Sequence, residues 1–552
     1  MTAARPGPGR DDRSGVTRVT FTPSPDRRSV LDRAHRGDIV GALGRIPSQE
    51  AGPRRSRLGR AAALLAVAGP GVVVLAADND AGGISTYAQA GQDYGLRLAW
   101  LLLVLAGALL VNQEMVGRLG AVTGAGHARL IYERFGRRWG AFALGDLLVV
   151  NFLIIVTEFT GVGFGLGYFG VSRYISVPLA AAALIALPAT GSFRHWERAV
   201  YVLVATSLVA VPLVVLAHHP APLPPLPAPH RAGDGGAALV VIAMVGTTVA
   251  PWQLFFQQSS VVDKRITPRW LSYERADTAI GTLLFAVGAV AVLAACALAF
   301  SGTSWHGAFT DAAAVAAGLG HRSWLAGALF AVALLNGSVL GAGAVALSAS
   351  YAIGDVAGTR HSLHRPWRDA RVFHGSYAAL VALAAAVVLV PGVPLGIVTT
   401  GVQALAGVLL PSALVFLLLL CNDRAVLGPW VNPRWLNLIA GAVTVIFLVL
   451  SALVVTGTLF PDLAISWPMT ALVLSLAGIL GAALGARLSP DGLPVAPRGS
   501  RYGPPAWTMP PIETLPPPLA SRARTLGLIA LRAYLLLAAA VVIIKVIRLI
   551  AG

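Results

Sequence analysis

Long apolar runs recur along the whole chain and constrain its fold more than any other feature of the sequence. Each is about 20 residues long, the length of helix that crosses the hydrocarbon core of a bilayer. Only 12% of the residues are charged, against roughly 25% in a soluble protein. The sequence therefore predicts an all-α polytopic membrane protein with twelve spans, at 70–91, 97–117, 140–162, 175–191, 198–217, 237–261, 277–301, 324–352, 373–391, 396–421, 435–457 and 465–486.

The basic residues, which give the chain a net charge of +17, gather in every second loop between these runs. The Arg-rich loops read "GHARLIYERFGRR", "GSFRHWER", "DKRITPRWLSYER", "GTRHSLHRPWRDAR" and "CNDRAVLGPWVNPR". Because loops rich in Lys and Arg stay on the cytoplasmic side, the pattern predicts a multi-pass protein of the cell membrane with a cytoplasmic N-terminus. Contact with the lipid bilayer explains the charge without a nucleic-acid partner, and no protein partner is indicated.

The chain divides into four predicted regions. Residues 1–58 are polar and Arg-rich, which predicts a disordered cytoplasmic N-terminus. Residues 59–488 hold the transmembrane domain, and 489–522 form a Pro-rich linker. The last region, 523–552, contains an apolar run at 525–550 that is interrupted by Arg532; it either spans the membrane or lies on it as an interfacial helix. Cys296 and Cys421 lie in apolar runs and indicate neither a disulfide nor a zinc site.

The first span contains the polar stretch "LAADNDAGGIS", residues 75–85. Pro70 fits the first turn of a helix, and Asp80 follows about ten residues later, ~15 Å along the axis and near the middle of the bilayer. Gly82 and Gly83 then favour an interruption of the helix, which at this depth must be lined by protein or by a water-filled cavity. A carboxylate buried in a membrane is costly and by default functional, which makes Asp80 the central candidate.

A second interruption is predicted in the sixth span, "MVGTTVAPWQLFFQQSS". Pro251 removes a backbone donor and frees carbonyl groups near Thr247, again about half-way through the membrane. Alone, Pro251 is equally compatible with an ordinary kink. Together, discontinuous helices 1 and 6 indicate an inverted repeat of five plus five helices, with the substrate bound between the two breaks. One carboxylate with freed carbonyls is an all-oxygen environment, which suits hard divalent cations.

The chain resembles the Nramp family of divalent-metal transporters, closest to its branch of Nramp-related magnesium transporters. "GPGVVVLAADNDAGGISTYAQAGQDYGLRLAW" is similar to the family's first helix, and "GTTVAPWQLFFQQS" to its sixth. "RLGAVTG", "IIVTEFTGVGFG", "SFRHWE", "VQALAGVLLPSA" and "CNDRAVLG" follow the family order, so the resemblance covers about residues 65–490. It implies a LeuT-like fold of about twelve helices, with or without an extra C-terminal one.

The departures from the family pattern bear on which ion is carried. The family's Asn and Met ligands are replaced here by Gly83 and Ala250. Loss of the soft thioether removes the discrimination against magnesium, and the smaller residues make room for an ion that keeps its waters. Trp252 and Gln257 stand where proton-coupled members carry histidines, and of an acidic pair on the third helix only Glu158 remains. The resemblance therefore implies uptake that is not coupled to protons.

The resemblance also assigns roles to individual residues. Asp80 faces the metal ion, with the carbonyl groups of Ala77 and Thr247. Gln403 either contacts a hydrating water or makes a helix–helix hydrogen bond, and Glu158 either attracts cations or is structural. Trp252 is either packing or gate. Asp78 has no counterpart in the family pattern. It is either a charge at the entrance or a group that acts on the ion through other ligands, and it is either ionised or protonated.

The predicted function is therefore transport, not enzymatic catalysis, and it needs no cofactor. The substrate is Mg²⁺, with Mn²⁺ also carried, driven by the gradient and the membrane potential. A proton-coupled Mn²⁺ or Fe²⁺ transporter is the alternative within the family. An organic-solute carrier on the same scaffold is the alternative outside it, although a carboxylate substrate would need bare helix N-termini where this chain has Asp80. Nucleotide-driven transport is disfavoured by the lack of a GxxxxGK[ST] loop.

Overall fold

The computed structural model of the protein describes residues 35, 37–50, 56–217, 234–392, 395–459, 467–488, 507–516, 525, 527–529 and 531–534. Helices dominate this part of the chain. They are α1 (Arg57–Val67), α2 (Pro70–Ala76), α3 (Ala81–Tyr94), α4 (Ala99–Thr123), α5 (His127–Phe135), α6 (Arg137–Tyr168), α7 (Arg173–Ala189), α8 (Phe193–Thr206), α9 (Ala210–Ala217), α10 (Asp234–Thr248), α11 (Pro251–Asp263), α12 (Leu271–Phe300), α13 (Ala312–Arg322), α14 (Trp324–Ala357), α15 (Arg371–Leu389), α16 (Leu395–Cys421), α17 (Arg424–Leu427), α18 (Arg434–Leu459) and α19 (Trp467–Leu488).

Each of the twelve predicted apolar runs coincides with one of these helices or with two consecutive ones. Within the described residues, nine stretches are long and apolar enough to cross a membrane, or ten if the bent pair α1 and α2 counts as one span. One of the nine, Ala81–Thr123, contains α3 and α4 and so holds parts of two predicted runs. Two further runs correspond to the shorter apolar helices Arg173–Ala189 and Leu472–Leu488. The all-helical membrane architecture is thereby confirmed.

Both predicted helix breaks are present. Residues 77–80 separate α2 from α3, and residues 249–250 separate α10 from α11. Pro70 lies in the first turn of α2, before the first break, and Pro251 lies in the first turn of α11, after the second. A proline is tolerated at these positions because the backbone N–H it lacks would have no helical acceptor. Each break therefore brings the carbonyl end of one helix close to the amide end of the next, in the interior of the bundle.

Small residues on α14 allow it to approach the first break closely. A Cβ atom added to Gly341 would lie 2.8 Å from the Cβ of Asp80 and 3.0 Å from Oε2 of Glu158. Gly337 lies in the same way against the carbonyl of Asn79. The close approach that these glycines allow thus encloses the break.

The helix α1 was not among the predicted spans. It precedes Pro70 and meets α2 at an angle of 56°, with Gly69 between them at φ +152. Only Ala63, Ala66 and Val67 of its 11 residues are buried. A helix this short and this exposed has a weak apolar pattern, which is why the sequence places the start of the first helix at Pro70.

Part of the N-terminal region for which disorder is predicted has a defined structure. Strands β1 (Ile39–Val40) and β2 (Arg45–Ile46) form an antiparallel pair with Ile39 opposite Ile46. Both isoleucines are buried, and Gly44 packs against Ala66 of α1. The hairpin lies at what we call the basic end of the bundle, the end that carries loops 264–270 and 358–370, because Arg265 donates to the carbonyl of Asp38 over 3.0 Å.

Two stretches beyond residue 488 also contact the bundle. Residues 507–516, from the predicted linker, lie across helix ends, with the amide of Met509 donating to the carbonyl of Val122 over 3.1 Å. Near the C-terminus, Leu531 and Tyr534 are buried, and Tyr534 donates to the carbonyl of Val408. Whether the run 525–550 spans the membrane is left undecided, because residues 535–552 lie outside the described part of the chain.

Candidate ion site at the two helix breaks

Asp80 stands at the first break, where it caps α3. Its backbone is extended (φ −79, ψ −175), and its Oδ1 accepts a hydrogen bond of 2.7 Å from the amide of Gly83. Aspartate is among the best N-cap residues, and a helix N-terminus favours a negative charge. The same sequence that breaks the helix therefore fixes a carboxylate there, with only 3% of Asp80 exposed to solvent.

Glu158 of α6 reaches the same break. Its Oε2 accepts a hydrogen bond of 3.0 Å from the amide of Ala81, and its carboxyl group and the Cβ of Asp80 both lie against Gly341. Both side chains are buried. Two carboxylates this close in a low-dielectric interior need a cation or a proton between them. The hydrogen bond to Ala81 places Glu158 beside the candidate ion ligand and is compatible with both roles considered for it.

Asp78 faces the other interrupted helix. Its Oδ1 accepts a hydrogen bond from the side-chain amide of Gln253 on α11, whereas its buried Oδ2 has no hydrogen-bond partner in the protein. Gln253 also donates to the carbonyl of Thr248, over 3.1 Å, at the end of α10. A second link joins the hydroxyls of Tyr87 and Thr248, 3.0 Å apart. The two breaks are therefore neighbours, as the inverted-repeat prediction requires.

The second break contributes small and neutral groups. Ala250 is buried and precedes Pro251 in an extended conformation, at φ −103 and ψ 147. Thr247 lies in the last turn of α10. The carbonyl groups of a last turn accept no hydrogen bond from within their own helix. The hydroxyl of Thr247 is buried without a partner. The hydroxyl of Thr247 and the backbone carbonyls are therefore the candidate ion ligands that the second break offers.

Gln403 of α16 contacts both broken helices. The side-chain amide of Gln403 lies against Gly82, and its backbone carbonyl lies against Gly246. Its Nε2 is buried and has no hydrogen-bond partner in the protein. A helix–helix hydrogen bond, one of the two roles considered for this residue, is therefore not formed by that nitrogen.

The space expected beside Gly83 is filled in this conformation. An added Cβ would lie 2.7 Å from the carbonyl oxygen of Asp78 and 3.3 Å from Oδ1 of Asp80. Glycine is needed at position 83 because the backbone of Asp78 passes too close for a side chain. Gly83 can make room for an ion and its waters only in a different conformation.

Trp252 and Gln257 lie on α11, the helix that follows the second break. Trp252 is buried, packs against Phe256, and its carbonyl accepts a hydrogen bond of 2.9 Å from Ser348. Gln257 donates to Oε1 of Glu274 and to the hydroxyl of Thr278, each over 3.0 Å. These contacts are what is expected of packing residues on the path between the breaks and the basic end.

Several contributors to this region were missed in the sequence. Asp277 of α12 caps α2 by accepting from the amides of Gly69 and Gly71, over 3.0 and 2.7 Å. Gln253 is the most informative omission, because a polar side chain three residues after a predicted break is itself a signal of an internal partner. Across the described residues, no group of three or more His, Cys, Asp or Glu side chains is arranged to hold a metal ion. Any ion at the breaks must therefore be held by few carboxylates, carbonyl groups and water.

The sequence and fold are similar to those of known metal transporters. A family profile described as "Natural resistance-associated macrophage protein-like" matches residues 71–457. The divalent metal cation transporter MntH of Burkholderia ambifaria is 27% identical over 77% of this chain and 95% of its own length. MntH of Verminephrobacter eiseniae is 32% identical, but over 39% of this chain and half of its own length.

Solved structures support the same fold. A manganese transporter of Eremococcus coleocola, crystallised with an aromatic bis-isothiourea substituted compound, superposes with a TM-score of 0.60 at 18% identity. The match covers 80% of this chain and 97% of that one. The LeuT-like architecture predicted from the two interrupted helices is confirmed.

Proposed function

This chain belongs to the Nramp family, and we propose that it carries divalent metal ions across a membrane, with Mg²⁺ as the main substrate and Mn²⁺ as a second one. Relatives that match most of their own length are named as divalent metal cation transporters. The observation that carries the choice of Mg²⁺ is the composition of the breaks: carboxylates, an amide and backbone carbonyls, with Ala250 in place of a thioether. Magnesium prefers such oxygen ligands and keeps several of its waters.

In this proposal Asp80 is the carboxylate that faces the ion. The carbonyl groups of Ala77 and Thr247 complete the inner set, since they lie at the carbonyl ends of the two interrupted helices. Gln403 is proposed to accept a hydrogen bond from a hydrating water through its side-chain carbonyl oxygen, because the waters of a bound cation are donors. Gly83 and Ala250 leave room for these waters once the breaks separate.

Transport is proposed to be uncoupled from protons. Gln257 and Trp252 cannot take up a proton near neutral pH. An acid at position 161, opposite Glu158, would not fit, since a Cβ on Gly161 would lie 2.5 Å from the Cβ of Ala81. Two charges crossing ~100 mV gain roughly 4.6 kcal/mol, enough to concentrate the ion more than about a thousandfold.

The positive-inside rule gives the proposed orientation, and the inside-negative potential gives the direction of transport. The basic end carries Lys264, Arg265 and Arg269 in one loop and Arg360, Arg365 and Arg368 in another. By the positive-inside rule this end faces the cytoplasm, together with the hairpin of the N-terminal region. The protein would then lie in the cell membrane and take the ion up.

One observation favours the alternative of a proton-coupled Mn²⁺ or Fe²⁺ transporter. The carboxyl groups of Asp80 and Glu158 lie together at the first break, and two neighbouring buried carboxyl groups can share a proton, which an incoming ion would displace. The organic-solute carrier is disfavoured, because the capping carboxylate of Asp80 already accepts from the N-terminus of α3, where a substrate carboxylate would bind.

Uptake into liposomes tests the proposal. Purified protein should carry both Mg²⁺ and Mn²⁺, and excess Mg²⁺ should suppress Mn²⁺ uptake. A pH dye inside the liposomes should report no change during Mg²⁺ uptake. Transport of Mn²⁺ that ignores a large excess of Mg²⁺ would exclude the magnesium assignment, and metal-dependent acidification of the lumen would exclude uncoupled transport.

A further inference from the structure

Asp78 is a buried carboxylate that the proposed ion ligands do not use. Only 1% of the residue is exposed, and one of its two oxygens, Oδ2, has no hydrogen-bond partner in the protein. Burial of a carboxylate without a compensating charge is expensive, and within a membrane such groups mark sites of ion or substrate binding. The unpartnered oxygen therefore indicates a missing positive charge.

The surroundings of Asp78 supply no such charge. Its hydrogen-bond donor, Gln253, is neutral, and Asp80, two residues further along the chain, is another acid. Gln253 is in turn held by Gln113 of α4, whose Nε2 donates to its Oε1 over 3.4 Å. The fold thus orients Asp78 through a chain of amides and leaves its charge unbalanced.

We propose that Asp78 is a second carboxylate of the ion site, and that Gln253 is the positioning residue that aims its free oxygen into the break. This inference rests on the proposed function. A hydrated divalent cation would then meet two carboxylates, Asp78 and Asp80, on either side of Asn79. Asp78 acts through the ion's water shell, because Oδ2 is an acceptor and the waters of a bound cation are strong donors.

The position of Asp78 explains why a site without sulfur can bind a divalent ion. An ion with two positive charges is matched by two negative ones, which replaces the affinity that a thioether contact would provide. Gln253 belongs to α11 and Asp78 to the break between α2 and α3, so this pairing also links the two interrupted helices. Binding of the ion would strengthen that link.

Liposome uptake and binding with four variants of the full chain test the inference. In Asp78→Asn, KM for Mg²⁺ and the Kd from calorimetry should rise about tenfold or more, the scale expected for loss of a buried charge partner. Asp78→Glu should recover part of the loss. Gln253→Leu should raise KM with little change in kcat, as expected of a positioning residue. Asp93→Asn is the matched control. Asp93 lies near the C-terminal end of α3, where it accepts a hydrogen bond of 3.1 Å from the amide of Phe309. The KM and Kd of this variant should stay within about threefold of those of the parent protein.

Thermal melting without metal checks folding separately, and the rise in melting temperature that Mg²⁺ produces reports binding. Asp78→Asn should melt cooperatively without metal and show a smaller rise with it. Parent-like KM, Kd and Mg²⁺-dependent melting in Asp78→Asn, with Asp80→Asn inactive, would overturn the inference and leave the proposed function standing. Absence of any divalent uptake by the parent protein would instead overturn the proposed function.

Discussion

Asp78 and Gln253 are 175 residues apart in the chain, yet the side-chain amide of Gln253 donates a hydrogen bond to the carboxylate of Asp78. Each belongs to a different interrupted helix, so the bond joins the two breaks directly. In a fold built from two repeats, a substrate bound at this junction contacts both repeats. The same junction contains Asp80 and Glu158, and the functional predictions start from these side chains.

Replacement of Asp80 should abolish transport without unfolding the protein. In Asp80→Asn the cap on α3 is kept, because asparagine is an equally good N-cap, but the charge that faces the ion is lost. Leaving a buried divalent charge without its partner costs about 3–5 kcal/mol, so uptake should fall more than about a hundredfold. Liposome uptake and an unchanged elution volume check this, and near-normal uptake would remove Asp80 from the site.

A thioether at position 250 should shift selectivity towards manganese. Ala250 is buried at the second break, and Met offers a soft sulfur that Mn²⁺ accepts better than Mg²⁺ does. A contact of about 1.4 kcal/mol would change the ratio of the two affinities tenfold. Competition between Mn²⁺ and Mg²⁺ measures it. Ala250→Leu, of similar size but without sulfur, is the control, and an equal shift in both variants would show that volume alone is responsible.

The buried ion pair at the basic end should be important for stability. Lys264 donates to Glu197 and to the carbonyl of Ala68, and Glu197 also accepts from the amide of Ala42 in the hairpin. Glu197→Ala removes the carboxylate from buried Lys264, which keeps only its hydrogen bond to Ala68, and this should destabilise the protein by about 3 kcal/mol. Thermal unfolding in detergent and faster hydrogen exchange of residues 37–50 would show it. Replacing both members, by Met at Lys264 and Leu at Glu197, should cost less than Glu197→Ala alone.

His361, in loop 358–370, should make stability depend on pH. Burial lowers its pKa, but the hydrogen bond and charge of Asp355, 3.2 Å away, outweigh burial, and the pKa of His361 is raised above its usual value. A raised pKa means that the folded protein favours the protonated form. This stabilisation is fully present below about pH 6.5, the unfolded value, and is lost as the pH rises through the folded value.

Melting temperatures at pH 6 and pH 8 check that sign. The parent protein should lose more stability between them than His361→Gln, in which the titrating group is absent. The neighbouring His364, whose pKa is lowered chiefly by burial, changes stability in the opposite direction and is therefore kept in both proteins. A larger pH dependence in His361→Gln than in the parent would contradict the assignment.

Much of the architecture was predictable because its causes are local. The length of each apolar run and the positions of Pro70, Gly82, Gly83 and Pro251 are properties of short segments, and both helix breaks were found where these residues place them. The helix α1 and the hairpin 39–46 were missed, since both are short and are stabilised by contacts with each other and with the ends of distant helices.

The sequence by itself determined that the chain crosses a membrane, that two of its helices are interrupted, and that Asp80 stands at the first interruption. Only the tertiary structure decided which groups meet there. Glu158 accepts a hydrogen bond from the amide of Ala81, which is 77 residues away in the sequence. Gln253 and Asp78 are separated by 175 residues. Such contacts depend on how α6, α11 and α14 pack around the breaks, and periodicity along one segment carries no information about its partners.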